Sequence, residues 1–175
     1  KFFFVIINYF TLLELVPKRG VDLEIQDTVY IGKGKRDQIY KVLGKLDYEF
    51  LSATSRIELE YIIREIVNNN EEKFVDFFNT AGAISTRLHK LELIPGIGKK
   101  YMWEIVEARK EKPFESFEDI TTRIPSLNNP AEMIVNRVKQ ELDTTTAKKG
   151  KKKYYLFTPI PKTQKKHRNN RNQRK

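Results

Sequence analysis

The sequence predicts an α+β protein: a small N-terminal β-barrel followed by an α-helical domain that carries two hairpins in tandem. Three observations predict it. Up to about residue 53, apolar residues alternate with a period near two and are punctuated by Gly and Pro, whereas beyond it they recur every three to four residues. Between two helical stretches stands Ile94-Pro95-Gly96-Ile97-Gly98, a helix stop followed by two glycines. Thirty residues later Ile124-Pro125-Ser126-Leu127 repeats the start of that stretch.

Residues 1–53 are expected to form the barrel. Lys1 precedes the run Phe2-Phe3-Phe4-Val5-Ile6-Ile7. One charge and an apolar run imitate a signal peptide, but Asn8, Thr11 and Glu14 interrupt it, no small-residue cleavage site follows, and it is too short and polar to span a membrane. A strand entering a core is the reading. Phe10, Leu12, Leu13, Leu15 and Val16 form a second run, closed by the turn Pro17-Lys18-Arg19-Gly20. Leu23, Ile25, Val29 and Ile31 continue the β-like stretch, broken by acids and by Gly32 and Gly34, and Tyr40, Val42, Leu46, Tyr48 and Phe50 give another run with period near two. Short strands with Gly-rich turns fit an OB-like or SH3-like barrel.

Residues 54–143 are expected to be helical. Ser55 with Glu58 reads as a capping box before Leu59, Ile62, Ile63 and Ile66, and Asn68-Asn69-Asn70 ends that helix. Phe74, Phe77 and Phe78 mark a second helix, closed by Gly82, and Ile84, Leu88 and Leu91 a third. Met102, Ile105, Val106 and Arg109 continue beyond the glycines. Ser116 with Asp119 caps a short helix. Asn129-Pro130 with Glu132 starts the last, with Ala131, Ile134, Val135, Val138 and Leu142 inward. Residues 144–175 form a basic tail with a short strand near 154–158, from Tyr154-Tyr155-Leu156-Phe157.

The charge is unevenly placed. The chain carries +10 over 175 residues. Twelve of its 33 basic side chains lie in residues 144–175 with no acid, and the remaining 21 stand against 23 acids. A solvated basic arm on a near-neutral body attracts polyanions by counterion release, the alternative being a tail that serves solubility. The absence of Cys excludes disulfides, thiolate zinc and iron–sulfur clusters, and two His make a His-based metal centre unexpected. No cofactor or metal is expected, and a reducing, cytoplasmic setting fits.

The stretch Leu91 to Arg109 resembles the helix-hairpin-helix motif, apolar-Pro-Gly-apolar-Gly between two helices, here over residues 84–110. Pro95 stops the first helix, Gly96 and Gly98 allow backbone conformations closed to other residues, and Ile97 plugs the hairpin. The amides of Gly96, Gly98 and Lys99 are then free at a positive helix end that suits a phosphate, and Lys99 and Lys100 add charge. Nothing there reaches a base edge, so the contact positions a backbone without reading sequence. The competing reading is an ordinary tight turn between packed helices. Residues 116–142 look like a degenerate second hairpin in which Ser126 and Asn128 replace the glycines, with a structural role. Lys33, Lys35 and Arg36, in Ile31-Gly32-Lys33-Gly34-Lys35-Arg36, form a second basic site that either seats phosphate or is a solvated loop; its spacing is not that of a Walker loop. Trp103 reads as core, with Tyr101 the more exposed aromatic.

The hairpin, Tyr9 to Gly20, Val29 to Arg36 and Phe77-Phe78-Asn79 together resemble an archaeal family of functionally uncharacterised predicted RNA-binding proteins. The resemblance covers about residues 9–157. It implies an N-terminal barrel with helix-hairpin-helix repeats and RNA as partner.

The expected function is non-enzymatic, largely sequence-independent binding of RNA or DNA, with RNA favoured, through Gly96, Ile97, Gly98, Lys99 and Lys100, assisted by Lys33, Lys35 and Arg36. No membrane or small-molecule substrate is expected. Three alternatives compete. Helix-hairpin-helix DNA glycosylases carry a Lys two residues after the second glycine and an Asp 18 residues further on. Lys100 matches, but Glu118 stands at the acid position with Asp119 beside it, the segment leading to the acid differs, and no domain for a base pocket is present. A nuclease would need clustered carboxylates around a metal, which the scattered acids do not suggest. A ribosome- or replication-associated adaptor would bind protein through Phe74, Phe77 and Phe78, which read more simply as core.

Overall fold

The computed structural model describes residues 2–6, 10–143 and 153–160, the first of these segments by its backbone. The basic runs 144–152 and 161–175 lie outside the described residues. Among the described residues the architecture is α+β, with five α-helices and small antiparallel sheets.

Strands β1 (Phe2–Ile6), β2 (Thr11–Pro17) and β3 (Ile39–Lys45) form an antiparallel sheet in that order. Phe2 pairs with Leu15 and Ile6 with Thr11, while Leu13 pairs with Lys45 and Pro17 with Ile39 through two register shifts. The expected barrel is not closed among the described residues. The segment expected to continue the β-structure, around Leu23 to Ile31, is irregular. Its backbone is drawn into a local turn: Asp27 Oδ2 accepts the Glu24 amide at 2.9 Å, the Asp27 amide donates back to the Glu24 carbonyl at 3.3 Å, and Gln26 is left-handed at φ 74°. An acidic side chain that satisfies nearby backbone groups removes them from a ladder. The apolar residues are still used, since Leu23 is buried with Leu15 and Ile39, and Val21, Val29 and Ile31 pack on them. Strand β2 also contributes Leu12, with Phe10 before it, to the larger core of the helical body.

Helix α1 (Ala53–Asn69) is capped by Ser52, whose Oγ accepts the Ser55 amide at 3.1 Å; the cap lies three residues before the expected Ser55. Leu59, Ile63, Ile66 and Val67 face inward. Helix α2 (Glu71–Thr80) buries Phe74, Val75 and Phe78, with Phe77 partly buried against the same core. These aromatics pack among themselves and with Phe157, so they do not offer an exposed docking face.

The expected third helix does not form. Ala83–Ser85 (β4) and Leu88–His89 (β5) make a small hairpin, followed by a single 3-10 turn over Lys90–Leu93. Ile84, Leu88 and Leu91 have helical spacing, but only Leu91 is buried, so no helical face existed to be stabilised by packing. Helices α3 (Lys99–Glu111), α4 (Phe117–Arg123) and α5 (Pro130–Leu142) follow. Ser116 Oγ accepts the Asp119 amide and Asn129 Oδ1 the Glu132 amide, both as the sequence predicts. Helix α5 packs against α1 and α4. Arg64 of α1 forms a two-pronged contact to Glu132 of α5 at 3.0 and 3.1 Å.

Three arginines tie the helices end to end. The last carbonyls of a helix lack intrahelical donors. Arg109 of α3 donates to Phe78 and Ala81 carbonyls at the end of α2, both at 2.8 Å. Arg123 of α4 donates to the Ala108 carbonyl of α3. Arg137 of α5 donates to the Leu93 carbonyl at 2.9 Å, ahead of the glycine hairpin.

The strand expected near 154–158 is absent; the segment is irregular and anchored chiefly by Glu141. Glu141, only 2% exposed, accepts Arg137 Nε at 2.8 Å, the amides of Leu156, Phe157 and Thr158 at 2.7–3.0 Å, and Thr158 Oγ1 at 3.0 Å. Arg137 also reaches the Tyr154 carbonyl, and Lys153 Nζ donates to the Asp143 carbonyl at 2.9 Å. By accepting five hydrogen bonds, the carboxylate takes three consecutive backbone amides that a neighbouring strand would otherwise compete for. Among the described residues no helix is long and apolar enough to cross a membrane.

Glu141→Ala should lower the unfolding free energy by about 3–5 kcal/mol, the cost of taking the carboxylate partner from a largely enclosed arginine, measured by urea denaturation. In the same variant, hydrogen exchange at Leu156, Phe157 and Thr158 should approach that of an unprotected chain.

Candidate nucleic-acid interface

The glycine hairpin is a tight turn set on the core. The Ile97 amide donates to the Ile94 carbonyl at 3.0 Å across Pro95 and Gly96, and Gly96 has φ 89°. Proline at the second position and a left-handed glycine at the third are the signature of a type II turn. Ile94 and Ile97 are buried on either side. Ile97 thus plugs the hairpin as expected, but at 4% exposed and with its amide inside the turn it holds the loop and presents nothing outward.

The two glycines have different roles. Gly96 needs its glycine for backbone reasons, and a Cβ there would also meet Met133 Cε at 3.4 Å. Gly98, at φ −88° and ψ −178°, is extended backbone open to any residue, and a Cβ there would meet nothing within 4 Å. What Gly98 supplies is clearance in front of helix α3.

That helix begins unlike the others. Gly98 is its N-cap and offers no side-chain acceptor, and the first turn contains no acid. The first intrahelical bond runs from the Met102 amide to the Gly98 carbonyl at 2.9 Å. The amides of Lys99, Lys100 and Tyr101 stand ahead of it, where the helix carries its partial positive charge. Helices α1, α4 and α5 have Ser52, Ser116 and Asn129 as side-chain caps, and α2 carries Glu71 and Glu72 in its first turn. Lys99 and Lys100 are exposed. Lys100 makes a long contact of 3.9 Å to Glu104.

The turn between α4 and α5 packs near α3 and the glycine turn, and its local chemistry differs from that at the start of α3. The Leu127 amide donates to the Ile124 carbonyl at 2.8 Å, with neither Ser126 nor Asn128 left-handed. Asn129 takes the left-handed position at φ 52°, its side chain fills the cap, Pro130 brings no amide proton, and Glu132 places a carboxylate in the first turn. Ser126 Oγ lies 3.1 Å from Glu104 of α3.

The remaining expected residues divide. Lys33 and Lys35 are exposed, but Arg36 donates its Nε to the Gly32 carbonyl at 2.9 Å, and Tyr30 lies across Gly32 and hydrogen-bonds the Gly34 amide. This loop adjoins the small N-terminal cluster, the hairpin the large one, and no hydrogen bond or ion pair among the described residues joins them. Trp103, expected in the core, is exposed, and Tyr101, expected outside, packs partly against the core. Asp119 accepts the Glu115 amide at 3.1 Å and faces Arg123 at 3.4 Å, within its own helix cap. Among the described residues no group of three or more His, Asp or Glu is arranged to hold a metal.

Sequence reasoning missed the residues that aim the hairpin. Arg137 fixes the Leu93 carbonyl, and its only signal in sequence is the four-residue spacing to Glu141. His89 caps the 3-10 turn, its Nδ1 accepting the Leu91 amide at 3.1 Å while Glu92 accepts the His89 amide at 2.8 Å. Burial foremost, and then the charge of Arg109, holds the His89 pKa below its ordinary value.

A family model described as a protein of unknown function, DUF655, matches residues 4–159. The uncharacterized protein MJ0038 of Methanocaldococcus jannaschii is 49% identical over 148 residues, which is 85% of this chain and 65% of that protein; the chain thus spans a little under two thirds of that relative's length. The crystal structure of Af1531 from Archaeoglobus fulgidus matches this fold with a TM-score of 0.79 at 45% identity, over 90% of this chain and 84% of that one.

Gly96→Ala should destabilise the fold by about 1–2 kcal/mol for its left-handed backbone, and Gly98→Ala by less than about 1 kcal/mol as a weaker helix cap, both read from urea denaturation midpoints. Because folded His89 resists protonation, the unfolded chain binds more protons. Its contribution to stability is complete above the ordinary pKa of 6.5 and declines as pH falls below it. Protonated Nδ1 would also oppose the Leu91 amide. Thermal melts from pH 8 to 5 should show that decline, and His89→Asn, which keeps an acceptor but does not titrate, should flatten it.

Proposed function

This chain belongs to the DUF655 family of proteins of unknown function, and we propose that it binds nucleic acid without catalysis, gripping backbone phosphate at the start of α3. The observation that carries the reading is the open helix end itself. Free amides, a glycine that leaves clearance, two exposed lysines and no competing carboxylate in the first turn meet at one place. The other helix ends are capped by side chains or carry acids. We read residues 90–111 as a hairpin of the helix-hairpin-helix kind whose first helix has shrunk to a 3-10 turn, with α4 and α5 as a second hairpin that supports it.

Such a grip is sequence-tolerant, because it touches phosphate and no base edge. It also reads no sugar hydroxyl, so the choice between RNA and DNA falls outside the hairpin. The preference for RNA expected from a barrel loses that support, and the choice becomes an outcome of the test. Lys33 and Lys35 and the basic runs of the tail supply further long-range attraction.

The test is fluorescence anisotropy with labelled RNA and DNA over a salt series. Lys99→Glu with Lys100→Glu should weaken binding at least about tenfold and lower the salt slope by about 1.4 on single strands and 1.8 on duplex DNA, the loss of two phosphate contacts. Gly98→Val should weaken binding while the thermal transition stays near that of the parent. A chain ending at Ile160 keeps the Glu141 anchor and separates the tail from the hairpin. If that chain loses all binding while both hairpin variants of the full chain bind as the parent does, the hairpin is architectural.

A further inference from the structure

We infer that the same site takes an unpaired strand, and that Trp103 stacks on one of its bases. The inference rests on the phosphate reading above and names the substrate class that the lysines and amides alone leave open.

Trp103 is the single tryptophan of the chain and is 58% exposed. Helix α3 buries Met102 and Ile105 on its inner face, so Trp103 stands on the outer one. Among the described residues it has no aromatic partner and no cation over its ring. Tyr40, Phe50 and Tyr61 are also exposed, but none of them lies one helical turn from a lysine pair at an open helix end.

The placement decides the ligand. Lys99 and Lys100 precede Trp103 by four and three residues, which puts them on the same helix surface, with roughly 5–6 Å between Cβ atoms. Side chains on a helix lean toward its N-terminus, so the indole covers the first turn, where the free amides are. A phosphate held at those amides therefore has a flat apolar surface beside it, on the side where its own base would lie. In a duplex that base is stacked and paired and its face is closed; in a single strand it is free. Stacking on an aromatic side chain is tolerant of sequence, in keeping with a contact that reads no base edge.

Because Trp103 is the only tryptophan, its emission reports on itself. The full chain is titrated with 12-residue oligouridylate and oligothymidylate and with each paired to its complement. The expected result is quenching of tryptophan emission by the single strands, with little change from the duplexes. Anisotropy on the same probes should show the ratio of single-strand to duplex affinity falling at least about fivefold in Trp103→Ala, the lower end of what one stacked base contributes, and largely restored in Trp103→Phe. Unquenched emission with an unaltered ratio in Trp103→Ala overturns the inference. If Lys99→Glu with Lys100→Glu abolishes binding while Trp103→Ala has no effect, stacking alone has failed and the phosphate grip stands. If the lysine variant binds every probe as the parent does, the grip has failed and the inference falls with it.

Discussion

The pair of partly buried Arg137 and fully buried Glu141 is the constraint on which the glycine turn and the C-terminal segment both depend. A charge removed from water is tolerated only where partners replace its hydration. Here the guanidinium uses three directions: Glu141, the Leu93 carbonyl and the Tyr154 carbonyl. The carboxylate takes the remaining donors of residues 156–158. One residue of α5 thus holds both the entry to the glycine hairpin and the returning C-terminal segment. Phe157, brought in by that segment, closes over Phe74 and Phe77, so the polar clamp and the aromatic core are assembled together.

The same economy governs the helix ends. Arg109 and Arg123 satisfy carbonyls at the ends of α2 and α3, and serine or asparagine side chains satisfy amides at the starts of α1, α4 and α5. Against that background the start of α3 differs, with no side-chain cap and no acid in its first turn. Its neighbour at the start of α5 has the same Ile-Pro entry but adds Asn129, Pro130 and Glu132, each of which removes a feature an anion would use.

Much of this was legible in the chain. Cap residues announce themselves by short-range spacing, and so Ser116 with Asp119 and Asn129-Pro130 with Glu132 start helices where local chemistry says they should. Pro95-Gly96 predicts its turn for the same reason. The reading failed where a weak local pattern met a stronger local competitor: Asp27 turned a strand-like stretch into a loop, and Ile84, Leu88 and Leu91 had helical spacing without a face to bury. It failed again at Trp103 and Tyr101, because two residues of separation on a helix reverse inside and outside, and only the packing of α3 decides which is which.

The sequence by itself determined the α+β composition, the starts of α4 and α5, the glycine turn and the concentration of positive charge after Asp143, since each depends on residues near one another in the chain. Tertiary structure decided that Glu141 anchors residues 154–158 in place of a strand, that Arg137 fixes the Leu93 carbonyl ahead of the glycine turn, and that Trp103 faces solvent on α3. Those outcomes depend on contacts between residues far apart in the chain, whose energies are set by which surfaces are finally buried, and no local spacing encodes them.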